Sequence, residues 1–202
     1  MKNLLKTLPW LLIGFRFLCG PIICLLVMQG YQWTALYVAL LWAGLISYIF
    51  DGIVARQVGV SSRWLRIADS KVDVFFWVTS VVGLYLYTDG LFESSKWFLL
   101  AFAIQEPMPD LILYTRFRKQ GCAHNWASKH FGLWLLGSFT TVFLTGGPFW
   151  LFNLTLFFGL VSQWDRIIIS LLLPAAECDI PSFWHALQRK NGVDFKRYKL
   201  FN

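Results

Sequence analysis

At 202 residues, 57% hydrophobic and only 14% charged, with a mean hydropathy of +0.55, the chain carries too little polar surface to cover a water-soluble globule. These figures exclude a soluble domain and point to a polytopic membrane protein. The formal net charge of +7 is dispersed over loops with no recognition motif beside it, which argues against a nucleic-acid partner and leaves a topology signal and an attraction to anionic lipid headgroups.

A spanning helix needs about 20 mostly apolar residues, and the chain offers six such runs, at 12–30, 33–51, 70–88, 97–115, 131–147 and 149–174. The segment Asn3 to Phe15 reads as an amphipathic helix at the interface, with Trp10 at headgroup level and the first span beginning after Arg16. Lys2 and Lys6 precede an apolar run as in a signal peptide, but Arg16 interrupts it and no small-residue cleavage site follows, so retention is expected.

Six spans place Lys2, Lys6, Arg56, Arg63, Arg66, Lys71, Arg116, Arg118, Lys119, Lys129 and the basic tail on one side. The opposite loops are almost free of cations, so both termini are expected in the cytoplasm. The expected fold is an all-α integral membrane bundle of six transmembrane helices, occupying 1–176. A cytoplasmic tail, 177–202, mixes Phe183, Trp184, Phe195, Tyr198 and Phe201 with basic residues and reads as amphipathic.

The cysteines carry little. Cys19 and Cys24 stand five apart and turn to different helix faces. Cys122 gathers loosely with His124 and His130, but without a CxxC pair a zinc site is not favoured. Reduced, structural cysteines are expected, Cys178 included.

The stretch DGIVARQVGVSSRWLRIADSKVD, Asp51 to Asp73, concentrates charge between two apolar runs. Asp51 falls about where the second helix leaves the hydrocarbon and shares a face with Tyr48 and Ala55; Asp69 and Asp73 open the third helix on one face, a turn apart. Antiparallel neighbours joined by a short loop can gather all three carboxylates at one point. Like charges at a low-dielectric boundary need a cation. A divalent ion, Mg²⁺ or Mn²⁺, suits all-oxygen ligation by carboxylates. Ordinary ion pairs, Asp51 with Arg56 and Asp69 and Asp73 with Arg66 and Lys71, suit the spacing equally well.

The same stretch resembles the signature of the CDP-alcohol phosphotransferases (CDP-alcohol phosphatidyltransferases): DxxDGxxAR, eight residues, then GxxxDxxxD. Asp51, Gly52, Ala55, Arg56, Asp69 and Asp73 match without a gap. Pro9, Arg16 and Pro21 also reproduce the proline, arginine and proline spacing of the family's N-terminal helix, with Trp10 and Ile13 in place of its Asn and Thr. Two signature positions depart: Tyr48 stands where the first aspartate belongs, and Leu65 where the second glycine belongs.

The resemblance implies transfer of a substituted phosphate from a CDP-linked donor, commonly CDP-diacylglycerol, to an acceptor alcohol with release of CMP, in phospholipid biosynthesis. It implies metal ligation by Asp51, Asp69 and Asp73, with Asp73 also the base for the acceptor hydroxyl. Gly52, Ala55 and Arg56 would meet the cytidine diphosphate, and Lys129, before the fifth span, a substrate phosphate. The resemblance implies a homodimer as well; the distribution of cations places the site on the cytoplasmic side, and a bacterial inner membrane is expected. Tyr48 implies a weakened metal site and Leu65 a narrowed nucleotide pocket, and together they keep open a catalytically impaired relative that binds lipid or nucleotide, or acts as a scaffold. A small transporter lacks the paired repeats or broken helices such a fold uses.

Other charges lie at membrane depth. Glu106 and Asp110 share a face around Pro107 and Pro109, which loosen the backbone; either could assist the metal, contact the acceptor, or pair with Arg116 or Arg166. Asp165 and Arg166 are adjacent, so they should serve different neighbours.

Overall fold

The computed structural model describes residues 2–30, 33–60, 62–119, 125–178 and 180–194. Among these the chain is helical and without strands: α1 (Lys2–Met28), α2 (Thr34–Val58), α3 (Arg63–Tyr87), α4 (Leu91–Gln105), α5 (Met108–Phe117), α6 (Trp126–Thr145), α7 (Phe149–Leu172) and α8 (Phe183–Lys190). Three stretches, Thr7–Met28, Thr34–Val58 and Phe149–Leu172, are long and apolar enough to cross a membrane.

The N-terminal helix differs from its expected division into an interfacial segment and a span. α1 runs unbroken through Pro9, Arg16 and Pro21. Arg16 needs no aqueous boundary because it meets carboxylates inside the protein, as described below. The expected span at 97–115 is likewise two helices, since the chain leaves α4 at Gln105 and restarts as α5 at Met108. Pro107 explains the break: it has no N–H to continue α4 and disfavours helical geometry at Glu106.

α2 and α3 are joined by a short connection whose ends are set by local chemistry. Gly59 takes the left-handed conformation, φ +73°, that closes α2, and the Val60 N–H bonds to the Ala55 carbonyl at 3.0 Å. The Ser62 hydroxyl then accepts from the Leu65 N–H at 3.2 Å and opens α3. Both helices extend further toward the connection than expected. Asp51 therefore lies inside α2, and Asp69 and Asp73 stand beyond the first turn of α3 rather than at its start.

The chain falls into two compact units, Met1–Ser94 with Leu136–Phe152, and Ser95–Leu135 with Asn153–Asn202. In the first, α1 packs along both α2 and α3, which touch each other far less. α1 buries Pro9, Ile13, Arg16, Gly20 and Ile23, a stripe at three- and four-residue spacing, while Trp10, Leu11, Leu18 and Leu25 stand exposed on its other faces, as lipid contact requires. Gly20 lets α1 approach α3, since a Cβ there would lie 3.0 Å from the Phe76 carbonyl oxygen. Gly44 of α2 makes room for the buried Phe76 ring, whose Cζ would come within 2.6 Å of a Cβ.

In the second unit Arg116 caps α7, its Nη1 donating to the carbonyls of Ser170 at 2.6 Å and Leu171 at 2.7 Å. Ala186 of α8 shares one apolar cluster with Ile169, Leu173 and Ile180, so the chain on both sides of residue 176 packs together. Phe183 and Trp184 stay exposed beside it; Phe195, Tyr198 and Phe201 lie outside the described residues. Cys19 and Cys24 are free thiols, whereas Cys178 is disulfide-bonded, contrary to the reduced state expected of it.

Candidate active site

One residue from α1, one from α2 and two from α3 converge in the first unit. Arg16 is wholly buried, and its Nη2 donates to Asp51 Oδ2 at 2.9 Å and to Asp69 Oδ1. Asp73 Oδ1 lies 3.8 Å from Nη1, close enough for an ion pair but not for a hydrogen bond. The three expected site aspartates are thus brought together, as their spacing suggested. Their side-chain exposure rises from 4% at Asp51 through 17% at Asp69 to 27% at Asp73, so the cluster has a closed end and an open end.

The cation at their centre, Arg16, lies inside the protein and not at the membrane boundary where its place ahead of the expected first span puts it. Arg16 is the single Asp, Glu, Lys or Arg between Thr7 and Met28. An isolated charge in a spanning run, on the stripe that also holds Pro9, Ile13, Gly20 and Ile23, signals an internal partner. Tyr48 takes part too, its ring centroid 5.2 Å from the Arg16 guanidinium carbon, within reach of a cation–π contact.

The remaining signature positions divide. Arg56 is exposed and its guanidinium lies beside Gly52, where a Cβ would come 3.2 Å from Nη1. Ala55 is buried in a small apolar cluster with Ile13 and Leu65, edged by Val60 and Val72. Its small size lets three helices meet, and Leu65 fills the same cluster. Lys129, near the start of α6, belongs to the second unit. His124 and Cys122 lie outside the described residues.

The second unit has its own polar network. Arg166 Nη1 donates to Glu106 Oε2 at 2.9 Å and to Gln163 Oε1 at 2.8 Å, and Gln163 Nε2 donates to the same Glu106 oxygen. This gives Glu106 its partner from the two weighed. Adjacent Asp165 does serve other neighbours, accepting from Asn125 Nδ2 at 2.6 Å and from the Phe183 N–H at 3.0 Å.

The carboxylates are also expected to ligate a divalent ion. Among the described residues no group of three or more His, Cys, Asp and Glu side chains is arranged to hold a metal ion. The reason is visible at the cluster: Asp51 and Asp69 direct oxygens at the Arg16 guanidinium. As it stands, the donor set is an ion-pair cluster and does not fit a metal.

Apolar helices of spanning length around a buried knot of charge define an integral membrane protein. The family follows from comparison. The model of the CDP-alcohol phosphatidyltransferase family matches residues 6–172, most of the chain, including every residue of the Arg16 cluster. The chain belongs to that family. Its members carry out phosphotransfer from a CDP-alcohol in phospholipid synthesis and generally use divalent ions. No curated protein and no solved structure matches the chain.

Proposed function

We propose that this protein is a membrane phosphotransferase that moves a substituted phosphate from CDP-diacylglycerol to an acceptor alcohol and releases CMP. The observation that carries the reading is the meeting of Asp51, Asp69 and Asp73 at one point within the region that matches the family. The acceptor oxygen bonds to the phosphorus that bears diacylglycerol. The bond from that phosphorus to the bridging oxygen breaks, and CMP departs. Asp73, the most exposed of the three, takes the hydroxyl proton.

Gly52 and Arg56 receive the donor's diphosphate, Arg56 through an exposed guanidinium and Gly52 through the absence of a side chain. Ala55 supports them by its packing, and Lys129 supplies a further cation for a phosphate. Six spans, a site facing the cytoplasm of a bacterial cell, a 177–202 tail at the membrane surface and a homodimer complete the proposal. The distribution of Lys and Arg supports the orientation.

A second reading is favoured by one feature. Arg16 engages the carboxylates that a family metal would need, as expected of a relative that binds lipid or nucleotide without turnover. CMP release decides between them. The purified protein in lipid nanodiscs receives CDP-diacylglycerol, Mg²⁺ or Mn²⁺ and a panel of alcohols. The phosphotransferase reading expects CMP with at least one acceptor and a loss of about 10²–10⁴-fold in Asp73→Asn. No CMP with any acceptor, or unchanged release from that variant, overturns it.

A further inference from the structure

Arg16 stands at the centre of the carboxylate cluster. It is wholly buried, it draws its partners from two other helices, α2 and α3, and two of its nitrogens, Nε and Nη1, have no hydrogen-bond acceptor. A buried guanidinium offers five N–H donors, and leaving some unspent is costly. Its position is therefore not explained by full satisfaction of its own hydrogen bonds. It is explained by charge: the Asp51, Asp69 and Asp73 oxygens lie at 2.9 Å, in direct contact and at 3.8 Å, respectively, so the guanidinium holds the centre of the three carboxylates.

Tyr48 fixes it there. The signature resemblance expects an aspartate at this position, and a fourth carboxylate would compete for any cation. The tyrosine instead presents an aromatic ring to the guanidinium at 5.2 Å. Arginine stacks on such a face readily, because it is planar and weakly hydrated. The departure from the signature and the capture of Arg16 are thus neighbours in space, on consecutive turns of the α2 face that carries Asp51.

We propose that Arg16 is a tethered cation of the aspartate cluster, held by the face of Tyr48, and that it closes the cluster to divalent ions. The inference rests on the reading of these aspartates as the family's metal-binding carboxylates, but its test does not depend on turnover.

The test is Mn²⁺ binding to the full chain in nanodiscs without nucleotide, followed by the electron paramagnetic resonance signal of free Mn²⁺. The wild type is compared with Arg16→Met, Tyr48→Leu and the double variant Arg16→Met/Asp51→Asn. Arg16→Met is expected to bind Mn²⁺ at least about tenfold more tightly than the wild type, Tyr48→Leu by an intermediate amount, and the double variant to lose the gain. Equal affinity of wild type and Arg16→Met overturns the proposal. Should Arg16→Met fail to fold, Tyr48→Leu decides, because it keeps every charge in place: tighter Mn²⁺ binding than wild type supports the tether, and unchanged binding overturns it. A wild type that releases no CMP would defeat the phosphotransferase reading and leave this comparison standing.

Discussion

Replacing Leu65 by glycine would restore a signature residue and, by the structure, damage the protein. Leu65 is 4% exposed and packs with Ile13 and Ala55, with Val60 and Val72 against the cluster. It therefore joins α1, α2 and α3 at the base of the aspartate cluster. Emptying such a site costs the lost contacts plus the cavity left behind, and large-to-small changes at buried leucines run at about 2.7–5.0 kcal/mol. Part of that range is transfer from water, which a membrane setting reduces, while the greater flexibility of glycine adds up to about 1 kcal/mol. A net loss of about 3 kcal/mol is expected. At about 2–4 °C per kcal/mol for a chain of this size, the melting point should fall by roughly 6–12 °C. Tryptophan fluorescence during heating in detergent measures it, with Leu65→Met, a nearly volume-conserving change, as the control expected to lose under about 1.5 kcal/mol. If Leu65 merely crowds a nucleotide that a glycine would admit, Leu65→Gly should melt with the wild type and release CMP faster. Either result would refute the packing argument.

Three further outcomes follow from named contacts. Gly20→Val should prevent close approach of α1 to α3, because its Cβ meets the Phe76 backbone carbonyl at 3.0 Å and backbone cannot swing aside; a melting point lowered by overpacking of about 1–3 kcal/mol is expected in the same heating assay. Arg116→Met removes the cap from the Ser170 and Leu171 carbonyls, and hydrogen–deuterium exchange should show the last turn of α7 opening faster, by roughly 1.5–3 kcal/mol for a charged hydrogen bond. Glu106→Ala leaves Arg166, 11% exposed at its side chain, with Gln163 as its remaining partner in that network, and should cost about 3 kcal/mol; Glu106→Ala combined with Arg166→Met should recover much of it.

What the sequence made legible was set by periodicity and by local chemistry. The apolar runs located α7 and one end each of α1, α2, α3 and α6 to within about two residues, while the other ends of those four helices continue five to ten residues past the apolar run, where polar residues carry the helix on. The four-residue spacing of Asp69 and Asp73, and the short connection from α2, brought three carboxylates together without any knowledge of their partner. Pro107 was recognised as a loosening element, but a proline alone does not say whether a helix bends or ends, and here the chain stops and restarts. Arg16 was the costly miss. Placed at an interface, an arginine can reach water with its long stem, and nothing local distinguishes that from an arginine turned inward. The distinction is tertiary: Arg16 shares its stripe with Gly20, which draws α1 against α3, and that approach carries the guanidinium to Asp69 and Asp73. The alternatives weighed from spacing, Arg56 for Asp51 and Arg66 or Lys71 for the α3 pair, were all near in sequence, whereas the cation at the centre of the cluster is 35 residues from Asp51 and 53 from Asp69. A charge cluster at membrane depth is therefore best completed by searching the neighbouring spans for a lone ion of opposite sign before a metal is assigned to it. In this chain that search changes the chemical question from how tightly the aspartates hold a divalent ion to how Arg16 occupies them.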